Sequence, residues 1–174
     1  MGTIVRVIES ISEWTGRVTS WFCLALVLAL SYEVFMRYVL GSPTKYSYEV
    51  ATMLGVSIAT MGLAYTHLHD GHVRVDVFWK LLPPRGKALA DLISSLLFFF
   101  PLIIVVIYIS AERVQFSWSM DEKLTSTLWY PPAWPIRAVM VLGLFLFMSQ
   151  GVAKLIHDIH ILKGLEPKGL TKHD

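Results

Sequence analysis

The segment DLISSLLFFFPLIIVVIYISAE, residues 91–112, places 20 uncharged residues between Asp91 and Glu112 and decides the fold class. An α-helix needs about 20 consecutive apolar residues to cross the hydrocarbon core of a bilayer. Ionised side chains are costly in hydrocarbon and are pushed to the ends of spans, so charges mark the boundaries of such segments. Working outward, three more windows follow the same rule: Arg17 to Glu33 encloses 15 uncharged residues, Glu49 to Asp70 encloses 20, and Arg137 to Lys154 encloses 16. The first extends to about Leu40, and the last reaches spanning length when its flanking residues snorkel. Spans are therefore expected at residues 18–40, 49–69, 90–112 and 136–157.

Composition agrees with that reading. The 174 residues are 55% hydrophobic and 16% charged, with a mean hydropathy of +0.56, whereas a soluble domain carries about 25% charged residues. Four spans consume roughly 80 residues and leave nothing for a soluble catalytic domain. The single cysteine, Cys23, excludes an intramolecular disulfide and a multi-cysteine metal site. A net charge of +2 is too small to point to nucleic acid. No internal repeat, no heptad pattern of useful length and no low-complexity linker is visible. The expectation is an all-α integral membrane protein, one membrane domain over residues 1–174.

A fifth uncharged stretch, Leu124 to Ile136, is 13 residues long and contains Pro131, Pro132 and Pro135, so it reads as an ordered loop or a re-entry at the membrane surface. The six tryptophans fit this layout, since indoles concentrate at bilayer interfaces. Trp14 and Trp21 flank the start of the first span, Trp79 follows the second, and Trp118, Trp129 and Trp134 lie between the third and fourth. Lys and Arg near span ends are retained in the cytoplasm. Ten of them fall on the side of the two termini and the second loop, and five on the side of the first and third loops, so both termini are expected to be cytoplasmic. The first span lacks a small-residue cleavage site after its apolar run and continues into Met36-Arg37-Tyr38, which reads as a retained signal-anchor helix.

Between the second and third spans, Val75, Phe78, Trp79 and Leu82 follow at i, i+3, i+4 and i+7, a short amphipathic interfacial helix over residues 73–82 that Pro83-Pro84 ends. Arg74, Lys80, Arg85 and Lys87 around Trp79 are placed to meet phospholipid headgroups, or serve only as topology determinants. Glu33 and Arg37 stand i, i+4 with the acid first, the favourable order for a helical ion pair. Glu49 opens the second span, where a carboxylate suits a helix N-terminus, and the short first loop can return it towards Arg37. These three residues form either a structural ion-pair cluster or a transport carboxylate with its partners. His67, His69 and His72 cluster after the second span without a spacing that defines a metal site. Pro101 is expected to bend the third span by freeing a backbone carbonyl. No phosphate loop, no Ser-His-Asp arrangement and no paired intramembrane carboxylates point to an enzyme, and no catalytic residue or bound metal is expected. The span centres also lack the broken helices and repeated halves of a secondary transporter, which describes a helper of another membrane protein.

The ordered set Arg37-Tyr38-Val39, Tyr46-Ser47-Tyr48-Glu49, Gly71-His72-Val73-Arg74-Val75-Asp76 and Leu82-Pro83, with Ser126 and Pro132-Ala133-Trp134 in the third loop, resembles the small membrane subunit of tripartite ATP-independent periplasmic (TRAP) transporters, the DctQ type. The likeness runs from about Val18 to Ile156; the family usually has Trp where Tyr46 stands, and Glu33 departs from its pattern. The resemblance implies a four-helix subunit of the bacterial inner membrane. Its partners would be a large DctM-type membrane subunit, which moves a small organic acid or similar solute with the sodium gradient by an elevator-like motion, and a periplasmic substrate-binding protein. The chain itself would hold no cofactor. Within that frame Glu33, Arg37 and Glu49 are expected at the large-subunit contact, and Tyr46, Trp118, Trp129 and Trp134 in the periplasmic docking surface. Two other readings stand beside it: a four-helix exporter acting as a dimer, supported by Glu33, and a haem-bearing membrane anchor, supported by His67 and His157.

Overall fold

The computed structural model describes residues 2–69 and 84–162. They form helix α1 (Gly2–Tyr38), α2 (Ser47–Leu68), α3 (Pro84–Ser94), a π-helical turn (Ser95–Phe99), α4 (Phe100–Ser119) and α5 (Trp134–Leu162). α3, the π turn and α4 are one continuous run. Among the described residues three segments are long and apolar enough to cross a membrane: Val5–Tyr38, Leu89–Ser119 and Trp134–His160. α2 occupies the place of the expected second span with 22 residues, and the Ser, Thr, Gly and His residues along it keep it out of that set.

The helices overrun the windows that charge spacing defines. α1 starts at Gly2 instead of 18 and stops at Tyr38 instead of 40, and the third run covers 84–119 instead of 90–112. Charged residues end a hydrocarbon span, but they do not end a helix whose backbone is already bonded. The 37 residues of α1 make a rod of about 55 Å, well beyond a bilayer core of about 30 Å. Its N-terminal part is held by tertiary contact: Ser12 Oγ donates to Gln150 Oε1 of α5 at 3.2 Å. Pro135, expected to break a helix, instead sits in the first turn of α5, where the missing N–H has no intrahelical partner to lose.

Across the bundle the order is α1, α2, α5 and then the α3–α4 run, with α2 and α5 as the central pair. Asp91 of α3 lies 4.0 Å from Lys154 of α5. α1 packs through Ser12, Thr15, Thr19, Phe22, Leu26, Ala29 and Glu33, and between Thr19 and Glu33 the covered residues are Phe22, Leu26 and Ala29. Steps of three and four alternate along that seam, which is heptad spacing. This corrects the expectation that no heptad pattern exists. Phe22 and Leu26 apart, the uncharged part of the seam is small or hydroxyl-bearing, as membrane helix contacts often are, while most large apolar residues of α1 lie outside it.

α5 approaches α2 through Gly143, where a Cβ would stand 2.7 Å from the Thr60 carbonyl carbon, and Gly151 lies against the Phe99 ring. The outward side of α2 differs from every other outward surface. It carries Tyr48, Thr52, Gly55, Ala59, Gly62 and Thr66, opposite the buried Ser57 and Ala64, and a Cβ on Gly55 or Gly62 would meet nothing within 4 Å. The Thr52 and Thr66 hydroxyls donate to Tyr48 O and Gly62 O of the same helix. α1 and α4 expose large apolar residues instead, among them Leu24, Val27, Leu28, Leu102, Val105 and Ile109. At the site where Pro101 is expected to bend the helix, the winding changes: the Phe100 N–H donates to Ser95 O, five residues back, so a π turn precedes the proline.

Candidate functional site

The C-terminal ends of α1 and α4 and the N-terminal ends of α2 and α5 meet at one end of the bundle, together with loops 39–46 and 120–133. Three carboxylates hold this end. Glu33, 7% exposed, accepts from Arg37 Nη2 at 2.6 Å and Nε at 3.1 Å through Oε1, and from the Thr44 N–H at 3.1 Å through Oε2; the Thr44 hydroxyl reaches the same Oε2. The expected i, i+4 ion pair is present, and it pins the first loop as well.

Glu122 closes the stem of the third loop. Arg137 grips it as a fork, Nη1 to Oε2 at 2.6 Å and Nη2 to Oε1 at 2.7 Å, and the Ser117 hydroxyl donates to Oε2 at 3.1 Å while also receiving Arg137 Nη1. Backbone bonds complete the stem: Glu122 N to Ser117 O at 3.1 Å, Ala133 N to Glu122 O at 2.8 Å and Leu124 N to Pro131 O at 2.9 Å, with an antiparallel bridge between Lys123 and Pro132. The hydrogen bonds from Arg137 hold the Glu122 carboxyl below the ordinary carboxylate range against the opposing effect of desolvation. Sequence reading missed Glu122, Ser117, Thr44 and Thr127 at this end, and Arg137 entered it only as a topology charge. One signal was available: Glu122 and Arg137, of opposite charge, bracket a proline-rich apolar loop.

Glu49 is where the structure corrects the expected cluster. Its Oε1 accepts from the Thr127 N–H at 2.9 Å, across 78 residues of sequence, so its partner is the tip of the third loop and not Arg37. The position in the first turn of α2 points the carboxylate towards that loop, and the helix N-terminus favours its charge.

The four expected aromatics do come together at this end, in two pairs. Tyr46 meets Trp129 edge to face at 6.3 Å, and Trp118 meets Trp134 at 4.8 Å with planes 78° apart. Burial, followed by the neighbouring Tyr32 and Glu33, pushes the Tyr46 phenol up. Leu128, Trp129 and Tyr130 project from the loop tip, Leu128 being 69% exposed. Tyr130 has φ 51°, a left-handed backbone that a bulky side chain rarely adopts.

The opposite end combines stacked aromatic rings with ion pairs. His67 stacks on Phe99 with ring centroids 5.6 Å apart and meets Phe147 edge-on at 5.3 Å. His69 lies 3.6 Å from Glu13 and packs on Tyr65, and His157 Nδ1 lies 3.9 Å from Asp158 Oδ1. Among the described residues no three His, Cys, Asp or Glu side chains converge on a metal-sized site. The amphipathic helix expected at 73–82, with Arg74, Trp79 and Lys80, and also His72, lies outside the described residues. Of Arg85 and Lys87 only the backbone, in the first turn of α3, is described.

The sequence matches the family described as "Tripartite ATP-independent periplasmic transporters, DctQ component" over residues 26–160, from the middle of α1 to the end of α5 and including both loops of the carboxylate-held end. No individual curated protein matches the chain. The family is one of transporter components and not of enzymes. With a match over most of its length and apolar helices fit to cross a membrane, the chain belongs to the DctQ family of small membrane subunits of tripartite ATP-independent periplasmic transporters.

Proposed function

We propose that this chain is the immobile scaffold subunit of a sodium-driven uptake system. It joins a large DctM-type membrane subunit and offers part of the surface on which a periplasmic binding protein delivers a small organic acid or similar solute. The observation that carries the docking role is the braced third loop: its stem is locked by Glu122 and Arg137 while Leu128, Trp129 and Tyr130 stand exposed at its tip. A loop with no role at its tip has no need of a fork-bonded ion pair at its base, and exposed aromatics are characteristic anchors of protein contacts.

In this reading α2 is the fourth crossing helix. The chain lies in the bacterial inner membrane with both termini in the cytoplasm and loops 39–46 and 120–133 in the periplasm. The chain holds no cofactor of its own, and the sodium gradient is used by the large subunit. The mechanical logic supports a scaffold: an elevator domain moves only relative to something held still, and long tilted helices with interfacial anchors resist displacement. Arg74, Trp79, Lys80, Arg85 and Lys87 would anchor the cytoplasmic side to phospholipid headgroups.

The contact with the large subunit is proposed along α1 and α2. Glu33 is enclosed within this chain, whereas the Arg37 side chain is 55% exposed and has donors left for a neighbour. The outward side of α2, small from Thr52 to Thr66, suits the close approach of a second transmembrane helix. Arg37→Ala is expected to reduce both co-purification with the large subunit and binding-protein-dependent uptake, and wild-type levels of both would refute the contact. Trp129→Ala is expected to weaken association of the binding protein with the assembled membrane complex, measured with labelled binding protein and the complex in nanodiscs. An unchanged affinity would refute the docking role of the loop.

A further inference from the structure

Among the described residues Glu49 is more enclosed than any other acidic side chain, at 2% exposed. Only one of its oxygens is engaged. Oε1 accepts from the Thr127 N–H at 2.9 Å, while Oε2 is equally enclosed and has no hydrogen-bond partner among the described residues. Buried polar atoms in folded proteins are nearly always hydrogen-bonded, so a carboxylate kept here with one oxygen idle is retained for what the other oxygen does.

The stem and the tip of the third loop are held by different elements. Glu122, Ser117 and Arg137 tie the stem to the helices that flank it, α4 and α5. The tip reaches instead to the start of α2 and the loop before it, through the Thr127–Glu49 bond and the Trp129–Tyr46 edge contact. The two rings of that second contact are 44% and 50% exposed, whereas the Glu49 side chain is 2% exposed, so its bond to the Thr127 N–H is the better shielded of the two ties. Beside it, Tyr130 keeps its left-handed backbone, a conformation that persists only when the chain on both sides is held. Leu124 N to Pro131 O fixes one side at 2.9 Å, and Thr127 on Glu49 fixes the other.

We propose that Glu49 is a positioning residue for the docking surface: its carboxylate clasps the tip of loop 120–133 to the start of α2 and so sets the direction in which Leu128, Trp129 and Tyr130 face the docking protein. This rests on the docking role proposed above and moves Glu49 from the large-subunit contact to the periplasmic one. The clasp requires an acceptor at Oε1 and nothing of Oε2. Glutamine therefore substitutes for it, and alanine does not.

The test titrates fluorescently labelled binding protein onto the assembled two-subunit complex in nanodiscs. Glu49→Ala is expected to weaken binding about tenfold, the loss of one shielded hydrogen bond, with co-purification of the large subunit unchanged. Glu49→Gln, whose amide oxygen still accepts from Thr127, is expected to bind within about twofold of wild type. Thr127→Pro removes the N–H from the other side with Glu49 in place, and is expected to match Glu49→Ala. Wild-type affinity in Glu49→Ala or Thr127→Pro, loss of the large subunit in Glu49→Ala, or a Glu49→Gln variant as weak as Glu49→Ala would each overturn the proposal. Trp129→Ala in the same titration separates the two layers: if it binds as wild type the docking reading fails, and if it weakens binding while Glu49→Ala does not, only the clasp fails.

Discussion

The outward sides of α2 and α4 both face whatever surrounds the bundle, yet they are made of different residues. α4 presents Leu102, Val105, Ile109 and Phe116, whereas α2 presents Thr52, Gly55, Ala59, Gly62 and Thr66. Hydrocarbon accepts the first set without any specific shape. Glycine in a helix interior is about 1 kcal/mol less favourable than alanine, and among the described residues no contact requires it at Gly55 or Gly62. The interior shows what a completed glycine contact looks like, because Gly143 lets α5 close on the backbone of Thr60. An outward surface built like an inward one is the kind that the proposed large-subunit contact would use, and the α4 surface is the kind that suits lipid.

Substitutions test that contrast, and the largest effect belongs to the completed contact. Gly143→Leu forces a side chain against the Thr60 carbonyl, backbone that cannot rotate away, and is expected to destabilise the bundle by about 3 kcal/mol or more, read as a lowered unfolding temperature in detergent. Gly55→Leu combined with Gly62→Leu is expected to leave that temperature within a few degrees of wild type while reducing co-purification of the large subunit by about tenfold. If instead the double variant unfolds, or retains its partner, the contrast between inward and outward glycines breaks.

A smaller effect comes from acid, which loosens the loop end without touching either surface. Glu122 titrates below its ordinary value of 4.5 in the folded chain, so its contribution is fully present above the unfolded value and is lost as pH falls through the folded one. The third loop is expected to stay protected from proteolysis at neutral pH, and to become cleavable only once pH has fallen below 4.5 and through the lowered value of the folded chain. The smallest effect is expected of Ile109→Ala on the exposed side of α4, with co-purification within about twofold of wild type; a large loss there would assign the partner to the wrong helix.

The parts of the molecule that the sequence discloses are those governed by what hydrocarbon excludes. Charge spacing finds all four long helical runs, since an ionised side chain and a lipid interior are incompatible, and the i, i+4 order of Glu33 and Arg37 discloses their pair. Tryptophan placement finds Trp118, Trp129 and Trp134 at one end, and the family resemblance adds Tyr46. Charges are silent about helix ends, which depend on backbone bonding and on contacts such as Ser12 with Gln150. The α1 seam escapes because Ser12, Thr15, Thr19 and Ala29 carry no apolar periodicity against a background that is apolar throughout. Glu49 and Thr127 are 78 residues apart, and neither residue type announces the other. Glu122 and Arg137 bracket their loop in sequence, a pattern legible once the loop is known to close on itself.

The π turn at Ser95–Phe99 makes the residue count of this helix a structural variable in its own right. A π turn fits one residue more into a turn than the surrounding α-helix does, so the extra residue is absorbed there and the helix on either side keeps its phase. Deleting one residue between Ser95 and Phe99 would therefore restore regular winding and leave Asp91 on the side of Lys154. Homologous chains that differ by one residue at this point would remain superimposable over both Pro84–Ser94 and Phe100–Ser119. A residue lost from the regular helix beyond the π turn would instead turn α3 by about 100°.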